Sequence, residues 1–189
     1  MDSSEIQKKL IDEKKLFPYL KTFPKISNTV FLAPGVKIIG DVEIGAESSV
    51  WYNTVIRGDV NYIRIGNLTN IQDCCCLHVT NDKYPLIIGN MVTIGHSVNL
   101  HGCTIRDLSL IGIGAIVLDG AIIEERALVA AGSLIRPNFI VPSGKLAAGV
   151  PAKIVRDLTA SEMGEFEQSA LRYGEYTLLT IESLRNNKK

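Results

Sequence analysis

The chain has 189 residues, 46% of them hydrophobic, with 20 basic and 20 acidic side chains and a formal net charge of zero. That balance excludes the basic field expected of a nucleic-acid or anionic-membrane binder, and no apolar run reaches membrane-spanning length. Size and hydrophobic content suit one domain with a substantial core. The start MDSSEIQKKLIDEKK is too polar for a secretory signal and too acidic for a transit peptide, so a soluble cytoplasmic protein is expected.

In chain order, residues 5–16 predict a charged helix with Ile6, Leu10 and Leu16 on one side. Phe17-Pro18 ends it, and Phe23-Pro24-Lys25-Ile26 leads out of a helical leader over residues 1–25. An aliphatic residue then returns at every sixth position: Ile38, Ile44, Val50 and Ile56, then Ile65, Ile71 and Leu77, then Ile88, Ile94 and Leu100. After a one-residue slip the series runs on through Ile105, Ile111, Val117, Ile123, Val129, Ile135 and Val141. Small or β-branched residues fall four positions later, among them Val42, Ser48, Thr54, Thr69, Cys75, Thr104, Ala115 and Ser133. A hexad held over about a hundred residues is the signature of a β-helix, with three short strands closing each triangular coil. Asn67, Asp73, Asn90 and Gly132 stand at the turns as candidates for left-handed backbone.

This pattern resembles the hexapeptide-repeat proteins of the gamma-class carbonic anhydrase type. The resemblance covers roughly residues 26–156, and implies an all-β fold, a left-handed parallel β-helix with a C-terminal α-helix. The left hand comes from the resemblance alone, because the usual rule for parallel connections favours a right-handed crossover. Over residues 157–189, Thr159-Ala-Ser-Glu162 is a capping box. Met163, Phe166, Ala170, Tyr173, Thr177, Ile181 and Leu184 follow at helical spacing, as a stripe expected to lie along an outer face of the β-helix.

All three histidines fall between Asn70 and Cys103. Counted in hexads, Leu77 and Leu100 are one coil apart, and residues 80–85 supply a bulging loop between them. His78 and His101 therefore face outward on adjacent coils, about 4.8 Å apart at the backbone. Imidazoles at that spacing can converge on one ion at about 2.0–2.1 Å. His96 sits on a corner at the other end of the same face, about 16 Å from His101, too far to share that ion within one chain. A neighbouring chain in a threefold ring would deliver it. Arg57 joins the His78–His101 column, and Asn70, Gln72 and Asp73 lie one coil below His96, facing the other way. Across the seam an Arg57–Asp73 pair is expected, with Asn70 and Gln72 placed to hold a metal-bound water or an oxyanion.

The same positions match motifs of the family. Arg57-Gly58-Asp59 resembles its Arg-x-Asp element, Asn70-Ile71-Gln72-Asp73 its Asn-x-Gln-Asp element, and His78, His96 and His101 its zinc ligands. The resemblance implies a homotrimer with Zn²⁺ at subunit interfaces, Fe²⁺ or Co²⁺ suiting the donors as well. It implies metal-bound hydroxide attacking carbon dioxide, with Gln72 orienting it and Asn70 beside it, while Arg57, Asp59 and Asp73 serve the interface. Two departures stand out. Val60 and Asn81 occupy places where the family's archetype carries glutamates, so the proton relay is missing, with Asp82 or Tyr173 as substitutes to test.

Two further readings remain. Gly149-Val-Pro151-Ala-Lys153 resembles a tail segment of hexapeptide-repeat acyltransferases, which points to an acyltransferase or thioesterase acting on a CoA ester. A metal-stapled trimeric scaffold without catalysis is the other. Cys74, Cys75 and Cys76 alternate in direction and cannot chelate one ion, so buried free thiols are the expectation, Cys75 pointing inward.

Overall fold

The structure is a computed structural model that describes residues 22–186 and, before them, Glu5. The helix expected over residues 5–16 lies, Glu5 apart, outside the described residues. Among the described residues, 19 strands are followed by one helix, α1 (Ala160–Asn186). All strand pairs are parallel except the last, where Ala152–Asp157 turns back antiparallel to Lys145–Gly149. The result is a parallel β-helix of about seven turns.

Each coil stacks like residue on like residue, which is why the hexad pattern holds. On one face Leu77 pairs with Ile56 and Leu100, and Leu100 with Val117. On the second Ile88 lies between Ile65 and Ile105. On the third Ile71 lies between Val50 and Ile94. Every one of these side chains is buried, and together they form a single apolar column along the axis. Such burial contributes about 1.5–3 kcal/mol per large aliphatic side chain, before the entropy of ordering is set against it.

The small inward places carry hydroxyls for a local reason. Ser48, Thr54 and Thr69 each donate to a carbonyl oxygen of the next coil, those of Gly66, Gln72 and Gly89, at 2.7–2.8 Å. Cys75 does the same weakly toward Gly95, and burial pushes its thiol up to about 12, so it is packing and not a reactive group. Thr104 does not take its expected inward place. The contraction at Gly102 turns Cys103 inward, fully buried, and leaves Thr104 paired on the outer ladder with Ile87 and Ile122.

The left-handed turn residues also fall one place later than the sequence suggested. Positive φ occurs at Leu68, Cys74 and Met91, and not at Asn67, Asp73 and Asn90; Gly132 has it as expected. The asparagines serve as a side-chain ladder instead. Asn67 Oδ1 accepts from the Ala46 N–H, Asn90 Oδ1 from the Asn67 N–H, and Asp107 Oδ1 from the Asn90 N–H, at 2.7–2.9 Å. Corner donors that lack a strand partner are satisfied in this way.

Helix α1 starts at the expected capping box. Glu162 accepts from the Thr159 N–H at 2.8 Å, and the Thr159 hydroxyl accepts from the Glu162 N–H at 3.2 Å. The helix then runs along the third face. Phe166 and Ala170 are buried, Tyr173, Ile181 and Leu184 pack against Phe31, Ala33 and Trp51, and Ser169 meets Thr93 at 3.1 Å. No helix among the described residues is long and apolar enough to cross a membrane.

Candidate metal centre

Parallel pairing sets His101 directly over His78, and Ile56 opposite Leu77 brings Arg57 into the same column. The side chains form a continuous chain of contacts. Arg57 donates to Asp59 at 2.6 Å, Asp59 Oδ1 lies 3.0 Å from His78 Nε2, and His78 Nδ1 lies 3.1 Å from His101 Nε2. His101 Nδ1 then meets Asp119 Oδ1 at 2.7 Å, and Thr80 donates to the same oxygen at 2.9 Å. Asp119 was not singled out from the sequence. Its signal was positional, since it stands 18 residues beyond His101, one regular coil higher.

Hydrogen counting shows what the column can do. Two neutral imidazoles bring two N–H groups to three contacts. When the outer nitrogens donate to Asp59 and Asp119, His78 Nδ1 and His101 Nε2 turn lone pairs toward each other at 3.1 Å. A cation between them relieves that repulsion. Two ligands at about 2.0–2.1 Å from a tetrahedral ion stand about 3.3–3.4 Å apart, so the pair would need to open by only a few tenths of an ångström to share a small divalent ion. Burial, with the Arg57 and His101 charges, holds His78 below the ordinary histidine range, outweighing its bond to Asp59 and favouring the neutral, ligating form. Asp59 loses water by burial too, yet its bonds to Arg57 and His78 and the Arg57 charge keep it below the usual carboxylate range.

His96 stands apart, on the corner between the third face and the histidine face. Its Nδ1 lies 2.7 Å from Asp73 Oδ2 of the same chain. The Arg57–Asp73 pair is expected between chains; within one chain Asp73 pairs with His96 and Arg57 with Asp59. Short corner geometry decides this, because both partners lie one coil or two residues away. Every histidine therefore has an aspartate oxygen within 3.0 Å of one ring nitrogen, the arrangement that orients imidazole ligands. Among the described residues no set of three or more ligating side chains gathers within the single chain.

Asn70 and Gln72 are buried on the third face. Gln72 donates to Asn70 at 3.2 Å and Asn70 to Thr93 at 2.9 Å, which links both to Ser169 of α1. In one chain they do not join the histidine column. Of the relay positions, Val60 packs into the core, while Asn81 is exposed in the loop after His78. Tyr173 is a poor relay: burial, with the Asp73 and Tyr176 charges, raises its phenol further from neutrality. It packs edge-on against Trp51, in an aromatic wall beside His96.

Residues 23–58 match the family described as bacterial transferase hexapeptide (six repeats). The chain is 42% identical to gamma carbonic anhydrase 2, mitochondrial, of Arabidopsis thaliana, over 98% of this chain and 68% of that one. It is 50% identical to a probable carbonic anhydrase of Methanocaldococcus jannaschii, over 78% of this chain and 92% of that one. A crystal structure of a putative acetyltransferase from Bacillus cereus superposes with a TM-score of 0.82 at 47% identity, covering 84% and 92% of the two chains. Coils, column and relatives agree: this chain belongs to the gamma-carbonic-anhydrase family of hexapeptide-repeat proteins.

Proposed function

We propose that the protein is a gamma-carbonic-anhydrase-like metalloprotein whose substrate is carbon dioxide. His78 and His101 of one chain and His96 of a neighbour would hold a divalent ion, Zn²⁺ by the nitrogen donor set, with Fe²⁺ and Co²⁺ also suited. Such an ion supplies Lewis acidity that brings the pKa of water to about 7. A homotrimer is the closed ring that the family resemblance implies, and such a ring satisfies every copy of a two-sided site. The free thiols fit a reducing compartment, in keeping with a cytoplasmic protein.

The chain's own residues have separable tasks in this reading. Asp59, Asp119 and Asp73 fix the imidazoles. Arg57 holds Asp59, and at the seam it faces the neighbour's corner. Asn70 and Gln72 are the amides that the assembly would bring to the substrate side. No glutamate stands at 60 or 81 to carry protons, so turnover is slow unless buffer takes that task. The observation that carries the reading is the pair of ring nitrogens 3.1 Å apart, each imidazole backed by an aspartate.

Metal analysis of the purified chain, together with a carbon dioxide hydration assay, tests it. One ion per chain with hydration that rises in imidazole buffer supports the reading; a chain that takes up no divalent ion overturns it. Stoichiometric metal without hydration indicates a metal-stapled scaffold. The Bacillus cereus structure, described as a putative acetyltransferase, favours a second reading, acyl transfer from a CoA ester. Saturable acetyl-CoA binding by metal-free protein selects that alternative.

A further inference from the structure

We propose that Asp119 is a positioning residue for His101, and that Thr80, from the loop directly after His78, keeps Asp119 in that task. The purpose of this device rests on the metal reading above. Its geometry does not. Among the described residues, His101 is the one ion-pair partner of Asp119, at 2.7 Å from Nδ1. Donation at Nδ1 fixes the tautomer and leaves the Nε2 lone pair facing His78. The opposite tautomer would put a hydrogen between the two rings and fill the place an ion needs.

Three features of the fold serve this one contact. First, the coil contracts by one residue at Gly102, whose φ is +52°. A Cβ there would stand 2.4 Å from Asp119 Oδ1 and 2.7 Å from Tyr84 Cβ, so only glycine lets the carboxylate lie over the chain to reach His101. Second, Thr80 donates to the same Oδ1 that His101 contacts, which holds the carboxylate against rotation. Third, Tyr84, four residues further along the same loop, crosses Gly102 and Gly120, and its hydroxyl reaches Asn138 at 3.4 Å. The loop inserted after His78 is thereby fastened to the coils beyond His101, and the two histidines are held as one unit. The lower half of the column has its own counterpart, in which Arg57 holds Asp59 against His78. An arginine does that work below and a neutral hydroxyl above, so the charge of Asp119 is left to act on His101.

The test uses the full chain, first without metal. Nitrogen NMR of ¹⁵N-labelled histidine rings should show the proton of His101 on Nδ1 in the unaltered protein. It should move to Nε2 in Asp119→Ala, while the His96 signals stay as they were. Zinc affinity, measured by competition with a chelator, should fall about 10–100-fold in the same variant. Thr80→Val should keep the Nδ1–H tautomer and lose less than about tenfold in affinity. Should Asp119→Ala fail to fold, the isosteric Asp119→Asn carries the test, with a mixed tautomer population and intermediate affinity expected. An unchanged His101 tautomer in Asp119→Ala or Asp119→Asn overturns the proposal. A tautomer shift in a chain that binds no zinc at all upholds the positioning and defeats the metal reading instead.

Discussion

From Ile111 to Ala147 the coils repeat every 18 residues, and alanine or serine fills the small inward places at 115, 121, 127 and 133. Between Val50 and Ile111 the coils measure 21, 23 and 17 residues instead. Each departure from 18 falls at the same corner, just after a residue of the histidine column. A three-residue bulge follows Arg57, the 80–85 loop follows His78, and the contraction at Gly102 follows His101. A solenoid whose neighbouring coils bond only to each other can absorb such changes locally, provided the ladder on either side keeps register. Both halves bury large aliphatic side chains, but only the irregular half carries the histidine column. The two should respond to mutation in different ways.

The largest effect separating them should come from His101→Ala. On the proposed reading, with ligands drawn from two chains, that variant should lose its ion outright and weaken a trimeric assembly at the same time. Metal analysis alongside sedimentation checks this, and full metal content in the variant would defeat the site. Its metal-free melting should be close to that of the unaltered chain without metal.

In the regular half the pattern should invert. Ile123 is fully buried between Ile105 and Val141, and Ile123→Ala should lower unfolding stability by about 2–5 kcal/mol through lost contact and a cavity. Metal stoichiometry at low temperature should be unchanged. Denaturant unfolding followed by metal analysis of the same sample reads both quantities. A loss of metal comparable to that of His101→Ala would show that the two halves are not separable.

A smaller effect is expected within the irregular half. Asn81→Glu places a carboxylate on the exposed loop and should raise hydration at low buffer by about tenfold, metal content being unchanged. Position 60 should not accept the same change, because Val60 packs into the core and a buried, unpaired carboxylate there costs stability. Fast turnover of the unaltered protein that is independent of buffer would remove the need for any added relay.

The smallest effect lies outside both halves, at the start of α1. The Arg156 hydrogen bond, then that from the Thr159 backbone, hold the exposed Glu162 at about 2, against an ordinary 4.5. A carboxylate depressed in this way adds stability above its unfolded value and loses it as pH falls through the folded one. Relative to Glu162→Gln, the unaltered chain should lose stability between about pH 4.5 and 2, and the gap should be flat from pH 5 to 7. Thermal melting across that range checks the sign.

By itself the sequence determined the coil register, because a repeat of six maps onto a backbone ladder in which equal positions must stack. Counting hexads was enough to set His78 under His101, to place Arg57 in their column, and to mark Ile56, Leu77 and Leu100 as core. The capping box and the helix stripe were legible for the same reason, being local and periodic. What happens at the corners was decided only in three dimensions. The period says nothing of how an insertion folds back, so it could not tell that Cys103 and not Thr104 turns inward, or that Leu68 and not Asn67 takes the left-handed turn. Nor could it pair carboxylates with imidazoles. Asp73 meets His96, Asp59 meets His78 and Asp119 meets His101 because side-chain directions at the corners converge, and direction is a property of the folded chain that spacing does not contain.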